Sequence, residues 1–296
     1  MSAKFLESVG SKLAERWVAT LLTPAFIFWA GGAIASVRYF GWMDIRMWFI
    51  QQLNNPSGIA FLIAGFCLIA SSAFVVQRFD LSVLRFLEGY WYPWLLPLRL
   101  LRRFLIRKEL KRSERISDRW QQIKRIPSHC RTAEQRDEFV RLDWKQQHLP
   151  LEDQLMPTRL GNLLRAAEAH SLERYGLDSI VCWPRLWLLL PEPVKKELQF
   201  ARSDLDAAAR VWFWCLLFTI WGIWVWWLAL LGVLAAIFTY YCWATVAAAS
   251  YGELIKATFD VYRKLLYDGL RWDMPTDPCE ERRVGKELTE YLWRGF

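Results

Sequence analysis

The sequence predicts an all-α integral membrane protein, with four transmembrane helices and a helical, basic cytosolic domain between the second and third. Three observations lead to that class. The 296 residues are 54% hydrophobic and 16% aromatic, with 19 Trp, and the apolar residues are gathered into blocks, which a soluble core does not require. Charge avoids those blocks, although the chain carries 38 basic and 30 acidic residues for a net +8. Between the blocks the apolar residues recur at helical spacing, and no segment shows the alternation of a strand or an internal repeat.

A helix crosses a bilayer core with roughly 20 apolar residues. Residues 17–37, from Trp17 to Val37, hold no ionisable side chain and make the first predicted span. Residues 59–76 make the second. The uncharged block from Val211 to Ala249 is 39 residues long, too long for one crossing. It is divided near Leu230–Gly232 into spans 211–230 and 231–252, a tight hairpin with Trp226 and Trp227 at the far interface. Indole favours that depth, where its ring meets lipid and its N–H meets water.

Orientation follows from the basic residues. Residues 38–58, predicted as an external loop, carry only Arg38 and Arg46, whereas the other 36 Lys and Arg lie in residues 1–16, 77–210 and 253–296. The side with more flanking positive charge stays cytosolic, so both termini and the middle domain are expected there. Lys4, Lys12 and Arg16 ahead of an apolar run, with Ala33-Ile34-Ala35 beyond, also resemble a signal peptide. The run is long for that role and is read as a retained anchor.

Outside the spans, residues 1–16 place Phe5, Leu6, Val9 and Leu13 at helical spacing, as in a helix lying on the membrane surface. The aromatic run Tyr90-Trp91-Tyr92-Pro93-Trp94, closed by Pro97, is too broken to span and is expected to form an interfacial or buried elbow. Residues 99–125 follow as a strongly basic helix with 11 Lys and Arg against 3 acids. Pro157-Thr158 is expected to open a helix whose apolar face is Leu160, Leu163, Leu164 and Ala167, and Gly176 to close it. Residues 192–210 and 253–270 are expected to run without a break into the third and fourth spans, and a short helix is expected in the tail.

Motifs of catalysis are missing. Gly285-Lys286 lacks the rest of a phosphate loop, and no GxGxxG, GxSxG or HExxH occurs. His129 and Glu134 have nearly the spacing of an acyltransferase motif, but the acid is wrong, and both are read as solvated. Asp143, Glu152 and Asp153 are read as surface acids. The six cysteines form no CxxC pair, so neither a zinc site nor a disulfide framework is indicated. No catalytic residue, metal or cofactor is expected.

The basic helix is the clearest partner signal. Arg102, Arg103, Arg107, Lys108 and Lys111, with Arg112, Arg115 and Arg119, are candidate contacts to an anion, and Arg159 and Arg165 can add to them. Two ligands suit such a cluster: anionic lipid headgroups, attracted by charge alone, or a nucleotide or short oligonucleotide whose phosphates fit the guanidinium fork. A cytosolic protein partner is a third. In the fourth span, Ala244, Ala248 and Gly252 make a smooth face for helix packing, while Thr239, Thr245 and Ser250 form a mildly polar stripe that would line a pore in an oligomer. No span carries a charge, which argues against proton-coupled transport.

Four segments carry a resemblance: Pro157-Thr158-Arg159-Leu160-Gly161-Asn162, Tyr175-Gly176-Leu177-Asp178, Trp183-Pro184-Arg185-Leu186-Trp187 and Tyr262-Arg263-Lys264-Leu265-Leu266-Tyr267. Together they resemble a group of uncharacterised bacterial multi-span membrane proteins, which implies an inner-membrane location. The layout of a few spans with a basic cytosolic sensor also resembles membrane effectors of antiphage systems. The expected function is an oligomeric, channel-like effector gated by an anionic ligand. The alternative is a membrane-anchored scaffold that recruits a soluble partner while its basic segment binds anionic lipid.

Overall fold

The computed structural model of the chain describes residues 22–53, 58–92 and 94–295. The predicted surface helix 1–16 and the first five residues of the first span therefore lie outside the described residues, as does Pro93 of the elbow. Among the described residues every regular element is helical. The α-helices are α1 (Thr23–Phe40), α2 (Trp42–Leu53), α3 (Gly58–Gln77), α4 (Asp80–Glu88), α5 (Leu96–Lys124), α6 (Ala133–Gln147), α7 (Arg159–Tyr175), α8 (Ser179–Leu189), α9 (Glu192–Phe218), α10 (Trp226–Thr239), α11 (Thr245–Leu270) and α12 (Pro278–Arg294). They divide into two compact units, residues 1–84 with 206–244 and residues 85–205 with 245–296.

Three helical stretches coincide with segments the sequence predicts as spans. Residues 60–77 and the longer helical runs 192–223 and 226–270 each contain a window long and apolar enough to cross a bilayer. Among the described residues three such helices stand against the four predicted. The described part of the first predicted span is α1, which begins with Thr23-Pro24 and reaches Arg38, and these residues dilute its apolar content. Residues 38–58 are not a loop throughout, since α2 occupies 42–53. Its Met43, Met47 and Ile50 recur at helical spacing and stand exposed.

The hairpin turn also differs from prediction. After α9 the chain tightens into a 3-10 segment, Thr219–Ile223, and reverses at Trp224–Val225. Gly232, expected near the turn, lies inside α10. A Cβ there would stand 2.9 Å from the Cys215 carbonyl oxygen and from Thr219 Cγ2, so this glycine permits the two arms to approach. Around them pack Ala25, Ala73, Val76 and Trp214, joined by Phe28 and Leu217. The Trp29 indole N–H donates to Ser72 Oγ at 3.2 Å and ties α1 to α3. At the edge of the first unit the Arg210 guanidinium donates from Nε to Asp80 Oδ1 at 3.0 Å and from Nη2 to Oδ2. Burial pushes the Asp80 carboxyl above its ordinary value, against the pull of Arg210. A buried carboxylate held this way requires its partner.

The second unit is built around α7 and α11. Thr158 caps α7, accepting from the Gly161 N–H at 3.0 Å and donating to the Glu88 carbonyl at 2.9 Å. Gly176 ends the helix in the left-handed region at φ 74°, which a residue without a Cβ adopts at little cost. Leu177, Leu186, Leu198, Phe259, Leu266 and Leu288 form the buried centre. Beside it Asp260 Oδ1 accepts from the Tyr175 hydroxyl at 2.6 Å and lies 3.0 Å from His170 Nε2. Arg263 stacks 4.1 Å from the Tyr175 ring and donates to Glu281 at 2.6 Å. Each of these groups is answered within the network, so it ties helices and offers no free nucleophile.

Candidate anion-binding site

The candidate site lies within the second unit, where α5 and α6 form an antiparallel pair. Their shared core is Ile116, Ile123 and Leu142, with Trp120 and Phe139 stacked at 6.1 Å between centroids. Thr132 starts α6 with a reciprocal capping box, its hydroxyl accepting from the Gln135 N–H while Gln135 answers the Thr132 N–H. That box fixes where α6 begins, and therefore which of its side chains reach α5.

On α5, Lys108, Arg112, Arg115 and Arg119 fall on one stripe, because steps of three and four residues stay on one face of a helix. With Ile116, and with Leu142 and Lys145 from α6, they line an open groove of about 420 Å³. Lys108 and Arg115 project into solvent. Arg119 is engaged, donating from Nε and Nη2 to both Glu138 oxygens at 2.9 and 2.8 Å. Arg102, Arg103, Arg107 and Lys111 do not line the groove. Arg165 pairs with Glu168 at 3.2 Å. Of the ten predicted contacts, the fold therefore gathers Lys108, Arg112, Arg115 and Arg119 on the groove, while Arg159 lines an adjacent cavity.

That adjacent cavity is small, is bounded by α5, α6 and α7, and shares Arg112, Ile116 and Lys145 with the groove. Arg112, Lys145, Arg159, Asn162 and His148 line it, with Glu109 as its acid. Glu109 lies 3.3 Å from Arg112. The Lys145 ammonium is held below its ordinary pKa by burial and by the nearby Arg141, Arg112 and Arg159. Such crowding is unfavourable until an anion enters. His148 stacks on Trp144 at 4.1 Å, with Nδ1 2.7 Å from the Trp144 carbonyl and Nε2 3.0 Å from a Glu253 oxygen. Burial pushes its imidazole below the ordinary value, and Lys256 adds to the shift. Sequence reasoning missed Lys145, His148 and Asn162. Asn162 did leave a signal, as an amide set on the apolar face between Leu160 and Leu163.

Of the predicted pore stripe, Thr239 and Thr245 are 6% and 5% exposed, and Thr239 hydrogen-bonds Cys215. Ser250 is less buried than either threonine. Ala244, Ala248 and Gly252 are all buried. Where Gly252 packs, a Cβ would stand 3.1 Å from that of Ala167, so this part of the smooth face serves α7 and not a second copy. Elsewhere in the first unit an apolar cavity of about 310 Å³ lies among Phe28, Trp214, Phe218 and Trp243. Among the described residues no three His, Cys, Asp or Glu side chains converge as metal ligands do. Comparison with family models, curated proteins and solved structures finds no match to the chain.

Proposed function

We propose that the chain is a membrane-anchored effector that binds a nucleotide or short oligonucleotide at the α5–α6 groove and acts as an oligomeric, ligand-gated channel. The observation that carries this reading is the crowding of cations around Lys145, which outnumber the acids there. Phosphate groups supply the missing charge, and guanidinium forks hold them at two points. Two helical runs favour a relay: α9 and the unbroken 226–270 run each contribute residues to both units. Occupancy of the groove would bias those helices. A conducting path would then form between copies, along exposed apolar side chains of α10 such as Leu234 and Phe238, gated by their packing.

The apolar helices support a bilayer location, and the charge asymmetry supports an inner-membrane orientation with both termini in the cytosol. The test is ion flux from liposomes holding the purified chain, with and without oligonucleotide, beside a mass measurement of the particle. An oligomer whose flux changes with ligand is expected. A monomer that stays ion-tight with every ligand contradicts the channel.

A second reading is favoured by one feature, the exposed aromatic elbow. Tyr92, Trp94, Leu96, Leu100 and Phe104 are 61–73% exposed, next to Arg99 and Arg103. Aromatic and basic residues interleaved in this way suit a headgroup layer, as in a scaffold that holds its basic helix on anionic lipid and recruits a soluble partner. It predicts a stable protein partner and no conductance.

A further inference from the structure

The small cavity beside the groove narrows the chemistry of the ligand, an inference that rests on the anion-binding reading above. Asn162 is 2% exposed, and its Oδ1 accepts from the Met156 N–H at 2.7 Å. That bond orients the amide. Nδ2 is left as a buried donor with no partner, in a side chain that lines the cavity with Lys145 and Arg159. Buried donors in native proteins are answered by an acceptor. The first turn of α7 adds the partial positive charge of a helix start.

Size decides what the acceptor is. The cavity measures about 30 Å³, and one water requires roughly 10–15 Å³ on that scale. It admits two or three oxygen atoms and excludes a sugar or base. Glu109 faces the same space but is paired with Arg112, which leaves Lys145 and Arg159 uncompensated.

We propose that this cavity seats one terminal phosphoryl group, a phosphate monoester. Its oxygens accept from Asn162 Nδ2, Lys145 Nζ and the Arg159 guanidinium, while Lys108 and Arg115 hold the phosphates that follow along the groove. A monoester end presents three free oxygens and up to two charges, whereas a diester within a chain presents two oxygens and one charge. The site therefore reads the end of a ligand.

Binding of 5′-phosphorylated and 5′-hydroxyl hexanucleotides to the full chain in detergent tests this. The phosphorylated form is expected to bind at least ten-fold tighter. Asn162→Asp keeps an oxygen for the Met156 N–H and nearly the same volume, but replaces the donor with a repelling carboxylate. The preference is expected to vanish in that variant while the melting temperature holds. Lys145→Gln gives an independent second variant, with the same loss expected. Equal affinity for the two hexanucleotides overturns the phosphoryl seat and leaves the anion reading standing. Failure of both to bind, with no response to phosphatidic acid or phosphatidylglycerol either, overturns both. Nanodiscs containing phosphatidic acid or phosphatidylglycerol separate the sources: a response confined to phosphatidic acid keeps the monoester chemistry and assigns it to a lipid headgroup.

Discussion

Arg119 and Glu138 meet as a two-point fork across α5 and α6, with Nε to Oε1 at 2.9 Å and Nη2 to Oε2 at 2.8 Å. The guanidinium holds the Glu138 carboxyl below its ordinary value through that hydrogen bond. The pair clamps the two helices and restrains the proposed anion site, because it occupies a cation that the groove would otherwise offer. Glu138→Gln releases Arg119 and removes one negative charge. Oligonucleotide affinity is expected to rise up to about five-fold at low salt, the range expected of one added exposed charge contact. Titration calorimetry on the full chain checks it, and unchanged affinity would remove Arg119 from the contact set.

Lys145 gives a pH signature. Burial and three arginines lower its pKa beneath the ordinary 10.5, so the folded protein gives up that proton at lower pH than the unfolded chain. Stability should rise with pH from the lowered value up to 10.5, since the unfolded chain binds that proton more readily. Anion affinity should fall over the same window, as the ammonium is lost. Lys145→Arg keeps its charge there and should hold affinity to higher pH. Binding measured from about pH 8 upward separates the two proteins.

His148 titrates on the acid side. Its ring is 7% exposed, and burial places its pKa below 6.5. Stability is then full above 6.5 and declines as pH falls from there to the lowered value, because protonation is easier in the unfolded chain. Thermal melts between about pH 7.5 and 5 should show this slope, and His148→Gln should flatten it whatever its absolute stability.

Gly161 precedes Asn162 in the first turn of α7 and packs closely on its neighbours. A Cβ there would stand 2.0 Å from the Glu88 carbonyl oxygen and 2.9 Å from Met156 Cβ. Gly161→Ala must push α7 away from the end of α4, and overpacking of this kind costs about 3 kcal/mol. Reduced melting temperature and reduced anion binding are expected together, with the far-UV helical signal retained at low temperature.

What the sequence makes legible is local. Thr158 and Gly176 mark the ends of α7 because capping and left-handed glycine are chemistry within a turn of the chain. The hairpin is misplaced from sequence because Gly232 reads as a breaker, although its role is contact with Cys215 and Thr219 across the turn. The actual reversal at Trp224–Val225 has neither glycine nor proline at its own two positions to announce it. Ala248 and Gly252 are legible as a packing face, but Gly252 meets α7, and composition cannot name a partner distant in sequence. The α5 stripe is visible as charge density. Lys145 is not, because α6 is mixed in charge and only its docking on α5 turns that residue toward Arg112 and Arg159.

The most direct test of the central claim is the salt dependence of oligonucleotide binding to the purified full chain, compared with a variant carrying Lys108→Gln, Arg115→Gln and Lys145→Gln. Each phosphate no longer neutralised should reduce the slope of log affinity against log salt by about 0.7 for a single strand. A steep slope in the parent that falls by about two units in the variant is the expected result. Equal slopes and affinities in the two proteins would contradict an anion site in this groove.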